Sequence, residues 1–186
     1  MADPQGPQEE PMLAQGYYLF MEAFTEESCA KAIKWIMNEN MRTTGKKKHL
    51  TLIINSPGGS VHAAFGLIDT MKWSKIPIHT VGLGLIASCG FLTFIAGEKG
   101  HRVLTPNTSI LSHQYSWGSG GKEHELYGIV REFELSSERM IQHYLKCIDG
   151  MTEKKIREVL LPPTDVWLSA KEMKKLKACD HIKEVY

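Results

Sequence analysis

The run from Ile76 to Gly97 contains no Lys, Arg, Asp or Glu, and no other feature restricts the fold of this chain so strongly. An uncharged stretch of this length is long enough to cross a bilayer as a helix. Its composition argues otherwise. Gly82, Gly84, Gly90 and Gly97 punctuate it, and Pro77, His79, Ser88 and Thr93 interrupt its apolar character. No basic cluster flanks it closely enough to anchor it, so no membrane partner is expected. A buried strand, a glycine turn and a buried helix satisfy the same pattern inside a protein core. The chain has 186 residues, the size of one domain, and a hydrophobic fraction of 42% supplies enough apolar mass for a core. Lys and Arg total 22 against 21 Asp and Glu, a net charge of +1 that gives no reason to expect a nucleic-acid partner.

The four cysteines, Cys29, Cys89, Cys147 and Cys179, are far apart, with no C-x-x-C pair and no histidine at zinc-ligand spacing. They read as reduced thiols in a cytoplasmic protein, with no metal site. The start, Met1-Ala-Asp-Pro, lacks the basic and apolar regions of a signal peptide. Residues 1–15 carry Pro4, Pro7 and Pro11 with Glu9 and Glu10 and read as a flexible tail; 16–186 read as the single domain.

Within that domain strands and helices alternate. Gly16 to Phe20 predicts a strand, and Thr25 caps a helix over 26–40 with Ala30, Ile33, Ile36 and Met37 on one face. Leu50 to Ile54 reads as a strand buried on both faces. A helix over 61–74 turns Ala64, Ile68 and Met71 inward. Strands follow at Ile78–Val81, Arg102–Leu104 and Ser109–Ser112, with a helix from Ser88 to Ala96 between the first two. Gly118 to Gly121 predicts a flexible loop, and Glu123 to Ile148 a long helix with Ile129, Phe133, Met140, Ile141 and Tyr144 as its apolar positions. Thr152 caps the next helix, Ser169-Ala-Lys-Glu172 is a capping box for the last, and His181 to Tyr186 reads as a closing strand. The alternation argues an α/β fold.

Two strand-to-helix junctions carry the candidate chemistry. In Ile54-Asn-Ser-Pro-Gly-Gly-Ser60, glycines let the backbone turn sharply and leave N–H groups outward, although an ordinary tight turn would look the same. Neither a dinucleotide fingerprint nor a P-loop is present. In Gly84-Leu-Ile-Ala-Ser-Cys-Gly90, Ser88 reads either as an N-cap or as a nucleophile at a helix N-terminus. A seryl nucleophile needs a base and an orienting acid. His113 closes a short strand and is equally consistent with a core histidine; Asp165 is equally consistent with a turn residue.

Taken with Ile54-Asn-Ser-Pro-Gly-Gly59, Asp69-Thr-Met71, Ala87-Ser88, Gly90, Ala96-Gly97, Pro106-Asn107, His113-Gln114, Leu168-Ser-Ala170 and Asp180 in this order and spacing, the chain from Gly16 to Tyr186 resembles the ClpP family of caseinolytic serine peptidases. The resemblance implies a ClpP/crotonase-like fold of repeated strand-strand-helix units, with a handle at about 114–149. It implies Ser88 as nucleophile, His113 as base, Asp165 as orienting acid, and the backbone N–H groups of Gly59 and Cys89 as the oxyanion hole. It further implies two stacked heptameric rings enclosing a chamber, unfolded protein or peptide as substrate, paired as an added β-strand, no metal or organic cofactor, and ATP only through a separate AAA+ unfoldase.

The chain departs from the family pattern at four places. Cys89 replaces a methionine, Tyr115 replaces the proline after His-Gln, Lys177 replaces a glycine before Asp180, and the N-terminal tail does not match the axial loops that hold the unfoldase. A viral head-maturation or signal-peptide-type peptidase, an inactive ring subunit and a crotonase-like acyl-CoA enzyme are the alternatives.

Overall fold

A computed structural model describes residues 10–116 and 122–183. Seven strands and seven helices follow one another in these residues. A parallel sheet runs in the order β1 (Tyr17–Phe20), β2 (Leu50–Ser56), β3 (Ile78–Ala87), β4 (Arg102–Leu104), β7 (His181–Ile182). Strand β5 (Ser109–Ser112) leaves this path: it pairs with β3 on one side and, antiparallel, with β6 (Val166–Ser169) on the other.

The helices form because their ends are capped and one face is apolar. Helix α2 (Glu26–Met41) starts at a reciprocal Thr25–Ser28 capping box. Its buried face is Cys29, Ala32, Trp35 and Ile36; Ala30, Ile33 and Met37, expected inward, are only half-buried. The bulk of Trp35 sets this rotation, since its indole packs against Tyr18 with ring centroids 5.3 Å apart. Helix α3 (Val61–Trp73) is capped by Ser60 and buries Ala64, Ile68 and Met71 as expected. Helix α4 (Cys89–Ile95) is buried throughout. The long α5 (Glu123–Cys147) buries Met140, Ile141 and Tyr144 near its C-terminal end. Thr152 caps α6 (Glu153–Val159), and the Ser169 box opens α7 (Ala170–Lys175).

Three expectations change. Pro11–Ala14 is a helical turn, α1, with Leu13 packed on the core, inside the stretch read as flexible tail. Strand β3 does not end at Val81 but runs on through Gly82 and Gly84 to Ala87. Strand β6 is not among the strands the sequence predicts: four residues are too few to establish a period, and its pairing with β5 defines it. The Gly118–Gly121 loop, residues 1–9 and the last three residues of the predicted C-terminal strand lie outside the described residues.

The extension of β3 creates the site. Its first half pairs with β4 (Thr80–Gly82 against Arg102–Leu104) and its second half with β5 (Leu85–Ala87 against Ser109–Leu111). Gly84 stands between the halves at φ +60, where a Cβ would lie 2.9 Å from the Asn55 side chain. Only glycine fits that turn without displacing Asn55. The strand therefore leaves β4, joins β5, and delivers Ser88 beside the end of β5.

Behind the sheet, Arg102 ties the last elements together. Its guanidinium meets Asp180 twice (Nε to Oδ2 2.9 Å, Nη2 to Oδ1 2.8 Å), and also donates to Cys147 O and Lys177 O. Burial alone would raise the Asp180 pKa; the Arg102 hydrogen bonds and charge overcome it and hold the carboxyl at about 2.

Candidate active site

Ser88 sits at the N-cap position of α4, yet its side chain caps nothing. Its backbone lies at φ 53, ψ −116, a strained conformation for a residue with a Cβ. The surrounding bonds hold it there: Ser88 N–H donates to Leu111 O at 2.8 Å, and Ser88 O accepts from Leu92 N–H at 3.1 Å. The hydroxyl is thus freed from the capping role that its sequence position suggested. On its other side Gly58, at φ +96, approaches so closely that a Cβ there would lie 2.7 Å from Ser88 Cβ.

The Gly58–Gly59 turn is clamped by Phe24, a residue that nothing in the local sequence marked. Phe24 N–H donates to Gly58 O at 2.9 Å and Phe24 O accepts from Ser60 N–H at 2.7 Å, an isolated parallel bridge. The first bond fixes the peptide plane between Gly58 and Gly59. Because that plane is trans, the Gly59 N–H points opposite to the Gly58 carbonyl, away from Phe24. Among the described residues no acceptor takes this N–H. The Cys89 N–H is the first of its helix and has no intrahelical acceptor. Two unpaired backbone donors thus flank Ser88, contributed by the two glycine-containing junctions.

Ser88, Gly59 and His113 line one small cavity of about 40 Å³, together with Val61, Leu92, Tyr115, Ser116 and Met140. Strand pairing carries His113 there: Ala87 is in register with Leu111, so the residues that follow leave β3 and β5 side by side. Asp165 does not line this cavity and is exposed. It arrives by a second pairing. The last pair of β5 and β6 is Ser112 with Val166. His113 follows Ser112 and Asp165 precedes Val166, so this pairing brings the two residues to the same end of the β5–β6 ladder.

Ser88 and His113 share the cavity, and among the described residues neither is hydrogen-bonded to the other or to Asp165. His113 Nδ1 is 2.5 Å from Gln114 O. A carbonyl only accepts, so Nδ1 carries a proton and donates it here. A Ser-His-Asp relay also uses a proton on Nδ1. The Gln114 carbonyl therefore occupies the Nδ1–H that an orienting acid would take. Tyr115, in the position of the family's proline, stacks on Phe133 of α5 with centroids 5.8 Å apart and leaves the Gln114 side chain bonded to Leu161 O at 2.9 Å.

The family model for Clp protease matches residues 12–185. The chain belongs to the Clp protease family. Among curated relatives, an ATP-dependent Clp protease proteolytic subunit of Streptococcus mutans is 36% identical over 138 residues, 74% of this chain and 69% of that protein. The ATP-dependent Clp protease proteolytic subunit 1 of Chlamydia muridarum is 33% identical over 165 residues, 88% of this chain and 83% of its own length. That of Chlamydia pneumoniae is 32% identical over 179 residues, covering 94% and 90%. Membership makes the chain a Clp-type serine peptidase with the ClpP fold, and the acyl-CoA reading loses its support. Among the described residues no helix is long and apolar enough to cross a membrane.

Proposed function

We propose that this Clp protease family member is an endopeptidase whose nucleophile is Ser88, whose base is His113 and whose orienting acid is Asp165. The observation that carries the reading is the convergence of Ser88, His113 and the unpaired Gly59 N–H on one cavity. In the first step His113 Nε2 takes the Ser88 hydroxyl proton as Oγ bonds to the substrate carbonyl carbon. The oxyanion accepts from the N–H groups of Gly59 and Cys89. His113 then gives its proton to the leaving amine, and water, deprotonated by the same nitrogen, releases the acyl group. Asp165 replaces the Gln114 carbonyl as the acceptor for His113 Nδ1–H and stabilises the imidazolium. No metal or organic cofactor enters any step.

The substrate class that fits is peptide or unfolded protein, bound as an added strand beside the segment after β5. The assembly that fits is two stacked heptameric rings in the cytoplasm, with ATP used by a separate AAA+ unfoldase. Exposed Leu126, Val130 and Phe133 form one stripe of α5, at i, i+4, i+7, that supports packing against a second copy.

A second reading, an inactive ring subunit, draws on the His113–Gln114 contact. Fluorophosphonate labelling followed by peptide mass spectrometry separates the two. The assigned roles require label on Ser88 and a loss of up to about 10⁶-fold in kcat in Ser88→Ala. Label on another residue, or none on the assembled protein, rejects the catalytic assignment. Light scattering tests the rings, which a fully active monomer would contradict.

A further inference from the structure

Cys89 contributes more than its backbone. The family's methionine is replaced here by a side chain short enough to turn back on the other junction, and the Cys89 thiol lies 3.2 Å from Gly59 O. Phe24 accounts for the direction of that carbonyl. Ser60 N–H, in the same peptide plane as Gly59 O, donates to Phe24 O. The plane is trans, so Gly59 O must face away from Phe24, toward Cys89. The Gly58 carbonyl is taken by Phe24 N–H, and the Gly59 carbonyl by the thiol. Gly59 is exposed and at φ +149, whereas the thiol is fully buried. A buried donor therefore ties down the one exposed glycine that offers its N–H to the cavity.

We infer that the Cys89 thiol is a positioning residue for the oxyanion hole: by donating to Gly59 O it adds to the two Phe24 bonds that orient the peptide planes on either side of Gly59, and ties that glycine and its N–H to the junction that carries Ser88 and the Cys89 N–H. The inference rests on the Ser88 mechanism proposed above. It differs from a packing role in what it requires of the replacement. A hydroxyl reproduces the bond and a methyl does not, although both are smaller than the thiol.

The test compares Cys89→Ala and Cys89→Ser with the parent protein, using fluorophosphonate acylation rates, steady-state peptide hydrolysis and thermal melting on the assembled protein. Loss of one thiol hydrogen bond is expected to lower kcat and the acylation rate in Cys89→Ala by about 3- to 10-fold. KM should stay near the parent value, because the oxyanion exists only in the transition state. Cys89→Ser should recover most of that rate even if it melts as low as Cys89→Ala. Equal slowing in both variants, or a change confined to KM, overturns the inference while label stays on Ser88. Label found elsewhere removes the mechanism beneath it. Full rate in Cys89→Ala also overturns it.

Discussion

Two polar clusters in this molecule are each assembled from strands far apart in sequence, and they are finished differently. Around Arg102 the bonds close within the chain: the guanidinium is 3% exposed and meets Asp180, Cys147 O and Lys177 O, while Asp180 also accepts from the N–H groups of Gly100 and Arg102. Around Ser88 they stay open. The hydroxyl caps nothing, the Gly59 N–H has no acceptor among the described residues, and His113 borrows a neighbouring carbonyl. A structural cluster must satisfy buried charge internally, because an unpaired partner is costly. The corner proposed as catalytic leaves donors unpaired, where a bound substrate would be their partner. The strain at Ser88 belongs to the same contrast, since it is held in place by Leu111 and Leu92 rather than relieved.

The contrast predicts that substitutions at one cluster change rate and at the other stability. After Ser88→Ala, the largest effect is expected from Asp165→Asn, which removes the proposed acceptor for His113 Nδ1–H. A loss of roughly 10⁴-fold in kcat is expected from Ser-His-Asp triads, with melting unchanged because Asp165 is exposed. A large drop in melting temperature with normal kinetics would reverse its placement. Next comes Arg102→Leu, which leaves Asp180 charged and poorly solvated. It should cost about 3 kcal/mol in urea unfolding. The folded fraction should keep its labelling rate, and a pure rate defect at full stability would break the comparison.

Acid provides a comparable test. His143 donates to Leu92 O at 2.8 Å inside the core, and burial holds its pKa down at about 4. His79 is held at about 4 by burial and by the rings stacked on either side of it, His101 at 3.9 Å and His49 at 4.2 Å. In the unfolded chain each titrates near 6.5. Between those values the unfolded state binds more protons, so stability falls as pH drops from about 6.5 to 4. For His143 the loss is on the order of 3 kcal/mol. Asp180 acts lower: its stabilisation is complete above about 3.8 and fades as pH falls toward 2. Urea midpoints across this range check both, and His143→Gln should flatten the upper part. A flat profile in the parent protein contradicts the lowered pKa of both histidines.

The smallest effect concerns Lys177, which lies at φ 61 just after α7, in the place of the family's glycine. A left-handed residue with a Cβ costs about 1 kcal/mol, so Lys177→Gly should raise the melting point with kinetics untouched. Any change in labelling rate would link the Arg102 cluster to the active site, since Lys177 O is one of its acceptors.

Much of this was legible before any coordinates. The caps at Thr25, Thr152 and Ser169, the buried strand at Leu50, and the strands at Arg102 and Ser109 depend on chemistry within a few residues, and each stands where the sequence predicts it. The glycine pair before Ser60 and the serine after Ala87 marked both junctions, and resemblance to the family supplied the partners. What local pattern did not contain was pairing over distance. That β3 forks at Gly84, that β6 exists and puts Asp165 and His113 at one end of its ladder with β5, that Phe24 clamps the Gly58–Gly59 turn, and that the Cys89 thiol faces Gly59 O all follow from which strand lies beside which. Short-range periodicity and capping are written in neighbouring residues. Register and close approach arise only when the sheet closes, and these decide what each proposed catalytic group lies beside.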